Sequence, residues 1–249
     1  MKKHLRDLVW LLRGELYGLR LSWFWYLFHM ALSPLLYMFL LYLFGGRGRP
    51  DVTLFVISGS LSQGLTTASM LTLGQNIGSL KDQNAFEYYA ALPISRLTFL
   101  LATATRAVLF SLPSFLTILC VGSLALQLPI RLSPFAVPTV LLAGYCMAGL
   151  GAFIGFYSPT GQVASLATQV LAGLMITLAP VYLTVEQLPA ILRATAAFIP
   201  TTYVASALRA TLSGQVGPRL WMDLGVLSAV TVTSLWLVAR KLDWRAGQG

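Results

Sequence analysis

The chain has 249 residues, of which 57% are hydrophobic and only 10% charged, with a mean hydropathy of +0.74. Soluble domains carry about 25% charged residues, so a soluble globular fold is excluded, and recurring apolar runs of about 20 residues argue for bilayer spans instead. The net charge of +9 comes without a basic patch interleaved with aromatics, which speaks against nucleic acid and leaves membrane orientation as the use of the basic residues.

Residues 2–20 read as an amphipathic helix. Leu5, Leu8, Val9, Leu12, Leu16 and Leu19 recur on one face, and Arg6, Arg13 and Arg20 form a stripe of their own. That pattern suits a helix lying in the headgroup plane; packing on a partner subunit is the competing use. Span 1 is expected over 23–44, with Trp23, Trp25 and Tyr26 as an interfacial belt and Pro34 as a local kink. It is too long for the apolar core of a signal peptide and no small-x-small site follows, so it is expected to stay as an anchor.

A tight polar turn at 45–51 leads to span 2, expected over 52–74 and rich in hydroxyls and amides. There Ser60, Gln63, Gly64, Thr67 and Gly74 share one helical face. The stretch 79–106 is the longest break in the apolar pattern, carrying Lys81, Asp82, Glu87, Arg96 and Arg106 with Pro93 at its bend. Span 3 is expected over 97–127 and, after a Pro-bounded turn at 128–134, span 4 over 135–156. In span 4, Gly144, Ala148 and Ala152, and the pair Gly151 and Gly155, stand four apart, which lets helix backbones approach closely in lipid.

An uncharged turn at 157–161 leads to span 5, expected over 162–184, where Gln162, Ser165, Thr168 and Gln169 cluster. The polar faces of spans 2 and 5 serve either as interhelical glue, at about 1 kcal/mol per bond, or as the lining of a pathway. Next, 188–198 and 201–212 each read as a helix, with Pro189 and Pro200 near their starts and Gly214 after the second. Each is too short for a core of about 30 Å, so the pair is a re-entrant or surface hairpin. Span 6 is expected over 220–238, followed by the basic residues Arg240, Lys241 and Arg245.

With both termini inside, ten Lys and Arg fall on inner segments and six on outer ones. This bias favours a cytoplasmic N-terminus, places 79–96 in the cytoplasm and puts the 188–214 hairpin outside.

Little in the chain supports chemistry of its own. Histidine occurs only at His4 and His29, and no HExxH, acidic dyad or Gly-Lys pair of a nucleotide loop is present. An intramembrane enzyme acting on lipid or peptide would need His29 to face Ser33 or a serine of span 2; a non-catalytic scaffold is the other alternative. Cys120 and Cys146 both read as buried small hydrophobes. Arg106 either snorkels or serves function, and Arg219 and Asp223, four apart, predict a local ion pair. Leu212-Ser213-Gly214-Gln215 has a partial likeness to an ATP-binding-cassette signature but reads as a helix stop.

Three motifs in order resemble the permease subunits of ABC-2-type transporters. Glu87-Tyr88-Tyr89-Ala-Ala-Leu92-Pro93-Ile-Ser95-Arg96 is similar to the family's coupling run, and the Gly-rich span 4 with its Ser158-Pro159-Thr160 turn to the family's next element. The third is Leu188-Pro189 through Pro200-Thr-Thr-Tyr203 to Ala207-Leu208-Arg209, similar to its extracellular hairpin. One departure stands out: Asn84-Ala85 takes the place of the family's Gly-Thr.

The resemblance implies an all-α integral membrane fold: six transmembrane helices, an N-terminal interfacial helix, a cytosolic coupling helix at 86–96 and an extracellular re-entrant hairpin at 188–214. It implies export from a prokaryotic cytoplasm across the inner membrane, powered by a separate ATPase subunit that carries ATP and Mg; this chain binds no cofactor or metal. It also implies a second permease copy, identical or sister, with the substrate path at their interface. Glu87, Tyr88, Tyr89, Leu92, Pro93, Ser95 and Arg96 would then couple to the ATPase. The pathway candidates are Ser60, Gln63, Thr67, Gln162, Ser165, Thr168 and Gln169, and the hairpin would be marked by Pro189, Pro200, Tyr203 and Arg209.

Overall fold

A computed structural model describes residues 23–46, 49–91, 96–126, 131–179, 181–182 and 190–241. The expected interfacial helix at 2–20 lies outside them. Among the described residues the chain is helical, with no strand. Helix α1 (Trp23–Leu41) runs on through Pro34 and ends in a π-wound turn, Tyr42–Gly46. One continuous rod follows: α2 (Pro50–Leu65), a π-wound stretch at Thr66–Leu71, and α3 (Thr72–Asp82). After a short turn come α4 (Ala85–Ala91) and α5 (Arg96–Leu126). Then follow α6 (Ala136–Tyr157), α7 (Gly161–Leu178), α8 (Ala190–Ala196), α9 (Pro200–Leu212) and α10 (Pro218–Lys241).

Four of these, within α5, α6, α7 and α10, are long and apolar enough to cross a membrane, and Met30–Phe44 is a shorter apolar helix. At 31 residues, α5 is about 46 Å long, which exceeds the hydrocarbon core as expected for span 3. Helix α7 stops at Leu178, before the expected end of span 5, because the next residues turn extended at Ala179.

Helix α6 is the axis of the molecule. It packs against α5, α7, α9, α10 and the α2–α3 rod, and its small residues explain how so many neighbours fit. A side chain at Gly151 would overlap the Met70 carbonyl of the π-wound stretch, while Ala143, Ala148 and Ala152 are buried. Without a hydrophobic drive between helices in lipid, such close backbone contact supplies the dispersion that holds them together. Burial separates the helices: 56% of the apolar window of α6 is buried against 17% for α7, so α7 stands at the periphery with one broad face uncovered.

Two expectations are corrected. Cys146 is buried but Cys120 is exposed on α5, because an apolar helix facing lipid shows as much hydrophobic surface as one in a core. Asp223 is buried with no hydrogen-bond partner on either oxygen, and Arg219 is exposed. The expected local ion pair is not closed by a direct hydrogen bond, although the Arg219 charge still acts on Asp223.

Candidate functional site

The 79–106 stretch resolves into a small, tightly tied assembly. Asn84, between α3 and α4, has a φ of 52°, the left-handed region that glycine enters most easily and asparagine next. Its N–H donates to the Lys81 carbonyl at 3.0 Å and its own carbonyl accepts from Glu87 N–H at 3.2 Å. Asparagine in place of the family-like glycine thus keeps the same reversal.

Helix α4 has two faces. On the inner one, Phe86 packs on Phe99 and Phe156, with ring centroids at 6.2 and 5.5 Å, and Tyr89 lies on Phe99 at 4.9 Å. Those rings belong to the bases of α5 and α6, so α4 is bonded to both. Glu87 and Tyr88 are on the other face, and Tyr88 is 67% exposed. Tyr89 therefore belongs to the chain's own helix packing rather than to an outward anchor set. Of the expected coupling helix at 86–96, the described part is α4, to Ala91, and Arg96 opens α5; Leu92, Pro93 and Ser95 lie outside the described residues.

Lys81 and Asp82 are the residues whose role sequence reasoning missed. The Lys81 ammonium donates to the carbonyls of Phe156 and Ser158, both at 2.6 Å. The Asp82 carboxylate accepts from Gly161 N–H at 2.8 Å. One residue thus places a cation on the C-terminus of α6, and the next places an anion on the N-terminus of α7, each matching the helix dipole it meets. A side chain at Gly161 would overlap Asp82, so the glycine is what admits the carboxylate. Burial holds the Lys81 ammonium below its ordinary pKa; Lys241 adds to the lowering and Asp82 opposes it. Lys241 also sits 5.3 Å above the Tyr157 ring, which brings the end of α10 to the same place.

At the other end of the bundle, the Pro-Thr-Thr-Tyr motif opens α9 by capping its neighbours. Thr201 donates to the Met175 carbonyl of α7 at 2.8 Å, Thr202 to Ala196 at 2.8 Å and Tyr203 to Ala197 at 2.6 Å. Pro200 fills the first helical position, where a missing N–H costs nothing. The helix stops at Gly214, with a φ of 72°, and Gln215 N–H reaches back to the Ala210 carbonyl at 3.0 Å. Residues 212–215 are a helix stop, as expected. Pro189 lies outside the described residues.

Arg209 reaches from α9 to α2. Its guanidinium lies 3.5 Å from the Phe55 ring centre and donates to Ser58 Oγ at 3.3 Å and to the Val181 carbonyl at 3.2 Å. Burial lowers its pKa to about 10, with Arg219 adding to the effect and Asp223 opposing it.

The pathway candidates do not form one surface. Gln63 is buried on α2, accepts from the Tyr182 hydroxyl and donates to Ser33 Oγ at 3.4 Å; Ser60 is buried and Thr67 half-buried. Gly74 instead faces Thr168 of α7 and Gly151 of α6. The π-wound turn between them adds a residue to the winding and rotates the helix beyond it, which splits the single face that a regular period predicts. Thr168 is packing: it is buried and donates to the Ala164 carbonyl at 2.6 Å. Gln162 and Gln169 are exposed, Gln169 reaching back to Ser165 Oγ at 3.1 Å.

A cavity of about 580 Å³ lies where α1, α2 and the C-terminal part of α7 diverge, lined by Tyr37, Leu41, Phe44, Val52, Val56, Gln63, Gly173, Ile176, Thr177, Ala179 and Tyr182. Among the described residues no group of His, Cys, Asp and Glu is arranged to hold a metal.

Long apolar helices around a glycine-rich axis, a short helix packed on two of them at one end and a capped helical pair at the other define a multi-pass membrane protein. Residues 51–240 match the family described as ABC-2 family transporter protein. The chain belongs to that family, whose members are the membrane-embedded transport component of ABC systems. No curated protein matches it.

Proposed function

We propose that this chain is the permease subunit of an ABC exporter in the inner membrane of a prokaryote, moving substrate out of the cytoplasm with energy from a separate ATPase subunit. The observation that carries this reading is the division of α4 into two faces. Phe86 and Tyr89 are bonded into the bundle, while Glu87 and Tyr88 are left outward. The outward face is the docking surface for the ATPase, which holds the ATP and Mg. A rigid push on it reaches α5 and α6 through the aromatic rings. It reaches α7 through the Lys81 and Asp82 clasp, so several spans move as one body.

In this reading the chain crosses the membrane six times. The α2–α3 rod and the helix ending in Tyr42–Gly46 join the four long apolar helices. Both termini and α4 face the cytoplasm, in keeping with the ten-to-six division of basic residues, and the α8–α9 hairpin faces outward. A second permease copy covers the peripheral face of α7. There the exposed amides of Gln162 and Gln169 need a wet path or a protein neighbour rather than lipid.

Reconstituting the permease in proteoliposomes with an ABC ATPase that co-purifies with it tests this. Glu87→Arg or Tyr88→Ala is expected to cut permease-stimulated ATP hydrolysis and transport by about tenfold, the effect of losing one anchor worth 1–2 kcal/mol. Wild-type rates in both variants would remove the coupling role.

A further inference from the structure

The cavity between α1, α2 and α7 has a chemistry that selects its occupant. Its volume of about 580 Å³ is that of a site for a drug-sized molecule, for which about 300–1,000 Å³ is usual. Among the described residues no lining side chain carries a formal charge, and the walls are the aromatic and aliphatic groups of Tyr37, Phe44, Val56 and Ile176. Thr177 turns its hydroxyl back to the Gly173 carbonyl at 2.8 Å, so it adds little polarity.

The one built polar feature is the pair formed by Gln63 and Tyr182. The Gln63 side chain is 94% buried by its 6% exposure, accepts from the Tyr182 hydroxyl, and sends one amide hydrogen to Ser33 at a long 3.4 Å. An amide has two donor hydrogens and two acceptor lone pairs, so the pair keeps a donor and an acceptor for a guest. Arg209, which reaches the same Val181–Tyr182 segment, is already engaged by the Phe55 ring, Ser58 and the Val181 carbonyl.

We infer that this pocket binds an uncharged, largely apolar amphiphile, whose body fills the apolar walls and whose single polar head hydrogen-bonds the Gln63–Tyr182 pair. This rests on the export reading and names the substrate class for it. A phosphorylated, sulfated or ionised guest would leave its charge buried without a counter-ion, which costs several kcal/mol. A hydrated polysaccharide would strip far more hydroxyls than one amide and one phenol can satisfy.

Gly173 supplies the test, because a side chain placed there meets no atom within 4 Å: a bulky residue fills the pocket without disturbing the fold. The full chain in nanodiscs is photolabelled with a diazirine-bearing monoacylglycerol, and in parallel with alkyl sulfate and alkyl trimethylammonium probes of the same length. Peptide mapping then locates the label. The neutral probe is expected to mark the segments carrying Ile176 and Tyr182, and Gly173→Phe to reduce that label by at least about fivefold while label at exposed Trp236 stays constant. Gln63→Leu is expected to weaken the neutral probe without improving the charged ones.

Equal labelling by neutral and charged probes, or no response to Gly173→Phe, would overturn the inference. So would an inter-copy crosslink through a cysteine placed at Tyr37 that shields the pocket, since a second copy would then be its occupant. Co-purification of the ATPase is followed in the same samples. Loss of labelling with the ATPase still bound rejects the substrate class alone, whereas intact labelling with no ATPase bound rejects the export reading.

Discussion

The two glycines of α7 sit in opposite surroundings. Gly161, at its start, is closed in by Asp82 and the Gly78 backbone, whereas Gly173, three turns on, faces open space at the cavity. The same contrast holds for the ends of the whole bundle. Toward α4, charged groups meet helix termini, backbones touch, and the Lys81 and Asp82 ties reach helices distant in the chain. Toward the hairpin, hydroxyls cap nearby carbonyls, Arg209 reaches across to α2, and α1, α2 and α7 part around a void. One end is closely packed and the other leaves open space.

Substitutions that exchange these surroundings should show the contrast most strongly. Gly161→Leu is expected to cost about 3 kcal/mol or more, through overpacking and the loss of the Asp82 bond, and Gly173→Leu about 0.5 kcal/mol or less, with a small gain in helix propensity. Thermal unfolding in detergent followed by size-exclusion chromatography reads both; equal loss would mean that the two ends are packed alike.

A smaller effect separates the kinds of tie. Lys81→Met leaves two carbonyls at the end of α6 without their charged donor and is expected to cost about 2 kcal/mol, while Asp82→Asn, which keeps an acceptor, costs about 1 kcal/mol. A double-mutant cycle between them tests whether the clasp acts as a unit, and simple additivity would show that it does not. At the hairpin, Thr201→Val removes one hydroxyl-to-carbonyl bond at nearly constant volume, with an expected loss of about 1 kcal/mol in the same unfolding assay.

The smallest effect tests the reversal at Asn84. Asn84→Gly should lie within about 0.5 kcal/mol of the parent, while Asn84→Val, which pays the left-handed penalty, should lose about 1–2 kcal/mol. If valine is as stable as asparagine, the α3–α4 turn does not need a left-handed residue.

The same division decides what could be read from the residues alone. Helix α9 was legible because its signals are local: Pro200 at the start and Gly214 after the stop. The close-packed face of α6 was equally plain, since small residues four apart leave their spacing in the sequence. Lys81 and Asp82 left no such trace, because their partners Phe156, Ser158 and Gly161 stand more than seventy residues away. The polar face of the second span was misread as continuous because a regular helical period cannot show the π-wound turn at Thr66–Leu71. Tyr89 beside Tyr88 looked like a second outward anchor; only the position of Phe99 shows that it turns inward.

In the proposed reading, α4 meets the ATPase with one face and its own helix bundle with the other. Co-purification of the ATPase and the melting temperature of the permease, measured on Tyr88→Ala and Tyr89→Ala in parallel, test it most directly. Tyr88→Ala should lose the ATPase with an unchanged melting temperature. Tyr89→Ala should lower the melting temperature by several degrees, the equivalent of about 2 kcal/mol or more for a buried ring. A Tyr88→Ala permease that unfolds early, or one that keeps its ATPase at wild-type affinity, would contradict the division of the helix into those two faces.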